Sequence, residues 1–199
     1  MVSPLLAVRR LAPTTPDLTD VKALAFTSRN GVEVFAALHP DRSRPVFVVG
    51  DATAEAARAA GVGAIRSAAG DLADLARLLE VEGPSDGVIL APGAREPAGD
   101  LSGLVAAPRT IRALAVYEAV ETGAPPPQAF DAVLVHSPRA GRALAAGLGR
   151  DGARDRLAVA ISAAAAAPLL SSGFSAVRVA VRPSEADILE ALGNPARAV

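Results

Sequence analysis

Two turns of this sequence carry hydroxyls and cations where an apolar run gives way to a helical pattern: LAFTSRNGVEVF at residues 24–35 and VLVHSPRAGRAL at residues 133–144. The first contains Thr27, Ser28, Arg29 and Asn30, the second His136, Ser137 and Arg139. A strand that enters a helix through small polar residues leaves backbone N–H groups free at the helix start, where the helix dipole also favours negative charge. Such turns can hold an anionic ligand. The same serines can equally be plain helix caps, which is the commoner use of serine there. Thr53 in GDAT and Ser162 in AIS sit at two further turns of the same kind, with the same two readings. Arg29, Arg95 and Arg139 fall in strand-end turns, where a guanidinium can pair with a carboxylate. Tyr117 is the only tyrosine, and alternation along IRALAVYEAV could simply bury its ring. His39 precedes Pro40 in an expected exposed loop. His136 ends a strand, either packed or as a donor, and two separated histidines do not make a metal site.

The elements that must position these residues are legible from periodicity. Short Val/Ile/Leu/Ala runs alternate with Ala/Leu/Arg-rich helical segments, the pattern of a parallel sheet covered by helices. Strands are predicted near 23–27, 46–49, 63–66 and 87–91, with helices near 31–38, 52–60, 71–80 and 98–106. A longer strand covers about 111–120. After the proline-rich TGAPPPQ, which cannot continue a ladder, strands recur near 131–136, 157–161 and 176–181. Their helices run about 138–148, 163–172 and 184–192. The class is α/β. Ligands of open α/β sheets sit outside the carboxyl ends of the strands, which is where Thr27 to Asn30, Thr53, Ser137, Arg139 and Ser162 fall.

Composition narrows the chemistry. With no cysteine among 199 residues, disulfides, thiolate catalysis and cysteine-bound metals are excluded. The chain is 51% hydrophobic, yet no run approaches the roughly 18 apolar residues that a membrane span needs. The opening MVSPLLAVRR has no basic leader followed by an apolar core, so a soluble, cytoplasmic protein is expected. A net charge of -1 argues against a dedicated nucleic-acid binder.

The two halves resemble one another. ALAFTSRNGVEVFAAL is matched by AVLVHSPRAGRALAAGL, and VFVVGDATAEAARAAGV by LAVAISAAAAAPLLSSGF. Ser28 precedes Gly61 by 33 positions and Ser137 precedes Gly173 by 36. Alanine-rich helices match easily by chance, but matched serine turns and helix-ending glycines indicate a duplicated unit.

The motifs FTSRNGV, VGDATAEAARAAG, AVYEAV, FDAVLVHSPRA and SAAAAAPLLSSGFSAVRVAVRPSEADILEAL together resemble the uroporphyrinogen-III synthase family, over about residues 3 to 192. No one of them is diagnostic; their order and spacing together carry the resemblance. The resemblance implies two flavodoxin-like parallel-sheet domains joined by a two-stranded linker, with the active site in the cleft between them. The expected division is a first linker strand at 1–12, a first domain at 13–114, a second linker strand at 115–122 and a second domain at 123–199. It further implies a cyclising lyase of tetrapyrrole biosynthesis that uses no cofactor and no metal. Its substrate is the polycarboxylate hydroxymethylbilane, which loses its terminal hydroxyl as water, passes through an azafulvene and a spiro intermediate, and closes with the last pyrrole ring inverted. The electrons come from pyrroles, so the protein contributes chiefly positioning. By the match to the family's VY position, Tyr117 is a phenol that helps the hydroxyl leave, while Thr27, Ser28, Arg29, Asn30, Thr53, Ser137, Arg139 and Ser162 are substrate-binding candidates. A monomer is expected, with the bilane handed over by the enzyme that forms it, and with neither nucleic acid nor membrane as partner.

One departure from the family pattern is expected to matter. Family members begin with a further strand, helix and strand before the segment that resembles SPLLAVRRL, and the first half counts four βα units against three in the second. The second sheet is therefore expected to be incomplete. An inactive homologue or a two-lobed, non-catalytic anion-binding module is the alternative reading. A mononucleotide binder is disfavoured, because VGDATA and APGARE have neither Walker spacing nor a GxGxxG turn.

Overall fold

A computed structural model describes residues 4–11, 15–127, 129–149 and 152–193. The linker boundary expected between residues 12 and 13 and the last residue of TGAPPPQ lie outside them. The chain divides into two compact units, one formed by residues 8–119 and the other by the chain up to Ala7 and from Val120 onward.

The unit of residues 8–119 is built in chain order from β1 (Leu6–Arg10), β2 (Val21–Phe26), α1 (Arg29–Leu38), β3 (Val46–Val48), α2 (Asp51–Ala59), β4 (Ile65–Ser67), α3 (Leu72–Glu82), β5 (Val88–Ala94), α4 (Leu101–Leu104) and β6 (Thr110–Glu121). The sheet order is β1-β6-β5-β2-β3-β4, with β6, β5, β2, β3 and β4 parallel. Hydrogen bonds from Leu11 N–H to the Val116 carbonyl and from Thr122 N–H to the Leu5 carbonyl make β1 antiparallel to β6. These two strands carry the chain between the units as a two-stranded linker. Burial explains the continuous apolar strands, since alternate residues face opposite sides. Leu24, Phe26, Val46, Val48 and Leu90 pack with α1 and α2, while Ala23, Ala25, Phe47 and Ile89 pack with α3 and α4.

The second unit repeats the pattern with β7 (Ala132–Val135), α5 (Pro138–Leu148), β8 (Leu157–Ala160), α6 (Ala163–Ala166), β9 (Ala176–Val179) and α7 (Glu185–Leu192). Its parallel sheet runs β7-β8-β9. Leu144, Ala165, Ala166 and Leu169 cover one face, and Ile188 of α7 covers the other. In both units the first two helices lie on one face and the third on the opposite face, as a duplication requires. Gly61 and Gly173 take matching left-handed conformations, with φ of +88° and +77°, where a side chain would be strained. Among the described residues no strand stands beside β7 in the place that β5 takes beside β2.

Two expected helices are shorter than their apolar patterns suggested. The segment 98–106 contributes only the single turn of α4, and 163–172 divides into α6 and a 3-10 turn at Ala167–Leu169. Pro168 cannot donate to the preceding turn, so the α-helix ends before it. No helix among the described residues is long and apolar enough to cross a membrane.

Arg42 ties the carboxyl ends of α1 and α2 together, donating to the carbonyls of Ala36 at 2.7 Å, His39 at 2.5 Å and Ala60 at 2.7 Å. Charged donors on helix-end carbonyls are worth more than neutral ones. Arg42→Ala should lower stability by about 2 kcal/mol, seen as a lower urea midpoint at unchanged slope, and Arg42→Lys should recover only part. In the other unit Asp187, 6% exposed, is held below the ordinary aspartate range first by the Ser184 hydroxyl and then by Arg182. A lowered folded-state value stabilises above the unfolded one and loses that effect as pH falls through the folded value. The stability advantage over Asp187→Asn should therefore be complete at pH 7 and disappear progressively below about pH 4, measured by denaturant titration at each pH.

Candidate functional site

β2 ends at Phe26, and Ser28 then takes an extended conformation that starts α1, its Oγ accepting from Gly31 N–H at 3.1 Å. Gly31 is fixed by proximity: a Cβ there would lie 2.8 Å from the carbonyl oxygen of Pro92 in β5. Only glycine lets the first turn of α1 sit this close to the neighbouring strand.

Tyr117 reaches the same turn through an irregularity in β6. Gly93 pairs with Ala115 but Ala94 pairs with Tyr117, so Val116 is an extra residue in the ladder. A bulge of this kind re-aims the side chains that follow it. Consecutive Val116 and Tyr117 consequently belong to one buried cluster with Val34 of α1, beside Leu38, Ala94 and Leu114. Tyr117 is 8% exposed, and its hydroxyl lies 2.9 Å from Ser28 Oγ. Arg95 N–H donates to the Tyr117 carbonyl at 2.8 Å, which anchors the strand just past the bulge.

Glu118, the next residue, is 13% exposed at its side chain and receives Arg9 of β1 at 2.7 Å and Arg95 at 3.3 Å. These pairs hold the Arg95 guanidinium at the rim of a cavity of about 280 Å³. Thr27, Gly93, Arg95, Asp100, Ser102 and Ala113 line it. Thr27 and Arg95 put a hydroxyl and a guanidinium on its lining, groups that can pair with a carboxylate; Asp100 is engaged in capping α4 through Ser102 N–H at 3.0 Å.

Thr27, Ser28, Arg29, Asn30 and Tyr117 thus come together at one end of one sheet, with Thr27 and Arg29 exposed and Ser28 and Asn30 half-buried. Thr53 lies in the first turn of α2 and is only 4% exposed. In the other unit Ser137 caps α5 through Ala140 N–H at 3.1 Å and Ser162 caps α6 through Ala165 N–H at 3.3 Å. Arg139 is half-buried beside Ser137. His136 Nε2 lies 2.9 Å from Glu185 Oε2. His39, expected in the open, is half-buried and stacks on Phe35 with ring centroids 6.0 Å apart. Arg9 and Glu118 escaped notice in the sequence, because their pairing spans 109 positions and a charged residue within a strand is the sole local signal.

A comparison with curated protein sequences finds no match. Among solved structures the chain is similar to uroporphyrinogen-III synthetase from Helicobacter pylori 26695, with a TM-score of 0.66 and 19% identity over 94% of this chain and 88% of that one. It is also similar to a mutant uroporphyrinogen III synthase from the extremely thermophilic bacterium Thermus thermophilus, with a TM-score of 0.52 and 18% identity over 96% of this chain and 87% of that one. At these identities the likeness establishes a shared fold. The sequence pattern described as uroporphyrinogen-III synthase HemD matches residues 1–190, nearly the whole chain, and the chain therefore belongs to the uroporphyrinogen-III synthase family, the cyclising lyases of heme biosynthesis.

Proposed function

We propose that the chain carries out its family's reaction, the closure of hydroxymethylbilane to the macrocycle with loss of water and inversion of the last pyrrole ring, and that Tyr117 is its proton donor. The hydrogen bond between the Tyr117 phenol and Ser28 is the observation that supports this reading most directly. A bulge turns the only tyrosine of the chain toward Ser28 at the start of α1, which the exposed Thr27 and Arg29 flank in sequence.

In this reading the phenol proton leaves with the terminal hydroxyl as water. The C–O bond breaks with its electron pair on oxygen, and the pyrrole that carried it holds the positive charge. The carbon of the last pyrrole then attacks, and the spiro intermediate fragments and recloses. The proton released when that pyrrole regains aromaticity returns to the phenol oxygen. No further general base is needed. Thr27, Arg29, Asn30 and Arg95 hold substrate carboxylates, and the strand-end residues Thr53, Ser137, Arg139 and Ser162 are proposed as further partners. The protein acts as a cytoplasmic monomer that takes its substrate from the bilane-forming enzyme.

Uncatalysed closure gives the uninverted isomer, so the product ratio separates protein-directed chemistry from background. Incubation with enzymatically generated hydroxymethylbilane should yield the type III isomer. Tyr117→Phe, which keeps the ring and removes one hydrogen-bonding group, should slow type III formation by about 10²-fold without unfolding the protein. A variant equal to wild type in rate and isomer ratio would return Tyr117 to a packing role, and exclusive type I product from the wild-type chain would favour the non-catalytic anion-binding reading.

A further inference from the structure

We propose that Ser28 acts on the reaction through Tyr117 rather than by touching substrate, as a positioning residue that keeps the phenol proton directed away from the protein; this rests on the proton-donor reading above. A serine hydroxyl has one hydrogen to donate and two lone pairs to accept with. One lone pair of Ser28 Oγ is taken by Gly31 N–H at 3.1 Å. Among the described residues its other partner is the Tyr117 hydroxyl at 2.9 Å.

That leaves two arrangements. If the phenol donates to Ser28, its proton points inward and the serine hydrogen has no acceptor among the described residues. If Ser28 donates to the phenol oxygen, both serine functions are used and the phenol proton is free for an incoming hydroxyl. Each arrangement makes one bond between the two hydroxyls and leaves one hydrogen over; in the second it is the phenol's, which the departing hydroxyl of the substrate takes up, so substrate completes the second arrangement. That arrangement also places a donor on the one atom that becomes negative as the proton leaves. Such a donor bonds more strongly to the charged oxygen than to the neutral one, so it favours the transition state over the ground state.

Ser28 also caps α1, and the two roles respond differently to substitution. Ser28→Thr keeps the cap and the donor. Ser28→Ala loses both. Ser28→Asp keeps an acceptor for Gly31 N–H but, ionised, has no hydrogen to give and captures the phenol proton instead. Steady-state kinetics on hydroxymethylbilane should show Ser28→Thr within a few-fold of wild type and Ser28→Ala slower by on the order of 10-fold or more in kcat with little change in KM. Ser28→Asp should be as slow as Tyr117→Phe while its thermal midpoint stays near wild type. The deciding comparison is made in the Tyr117→Phe background. There, Ser28→Ala should cost no further rate, because its effect passes through a group already removed.

A full further loss in the double variant, or a loss confined to KM, would assign Ser28 to direct substrate contact and overturn the inference. So would a Ser28→Asp variant with wild-type kcat. Should Tyr117→Phe itself match wild type, the proton-donor reading fails first, and the two failures are thereby distinguished.

Discussion

Everything at the site depends on how closely α1 approaches β5. The first turn of the helix lies against the Pro92 carbonyl with no room for a side chain at Gly31. That contact sets the height of Ser28 above the sheet, and with it the distance to the Tyr117 hydroxyl two strands away. A helix seated even a few tenths of an ångström higher would lengthen a 2.9 Å bond toward the range where hydrogen bonds fade. The glycine that reads in sequence as a flexible turn is thus the rigid reference of the site. Its small size matters more than its freedom.

The two units use one construction with different chemistry at the strand ends. In the unit of residues 8–119 the third and fourth helices are capped by Asp71 and Asp100, whereas in the other unit all three are capped by Ser137, Ser162 and Ser184. Neutral hydroxyl caps leave the positive ends of the helices uncompensated, and aspartates neutralise them. At α1, α5 and α6 no acidic residue stands in the first turn to offset that field, while α7 carries Glu185 and Asp187 there and α3 and α4 have acidic caps. For a reaction whose electrons come from the substrate, this division of field and shape is what the protein has to offer.

Much of this was legible in the sequence, for physical reasons that also mark where legibility stops. Leu24 and Phe26 against Ala23 and Ala25 show the two-faced burial of β2 directly, and Ser28 announces its helix because capping is local. The place of Thr27 and Arg29, between the end of β2 and the start of α1, follows from the alternation of strand and helix patterns. The bulge at Val116 was not legible: AVYEAV reads as plain alternation, and only the partner strand reveals that one residue has no opposite number. Nor was Glu118, whose partners Arg9 and Arg95 come from two other segments. The helix at 163–172 was overextended because an alanine run has strong helical propensity, and Pro168 overrules it.

The extra residue in β6 has a consequence beyond aiming one ring. Pleating gives every strand a parity, inward or outward, that is inherited from each residue by the next. Within β6 that inheritance is reset at Val116. Ala115 and Tyr117 are two positions apart, yet they stand opposite the adjacent residues Gly93 and Ala94 of β5 and so belong to opposite faces, where an unbroken strand would put them on the same one. Deleting Val116 would leave a regular ladder with Tyr117 still opposite Ala94, so the extra residue changes the phase of the chain and not the partner that Tyr117 meets.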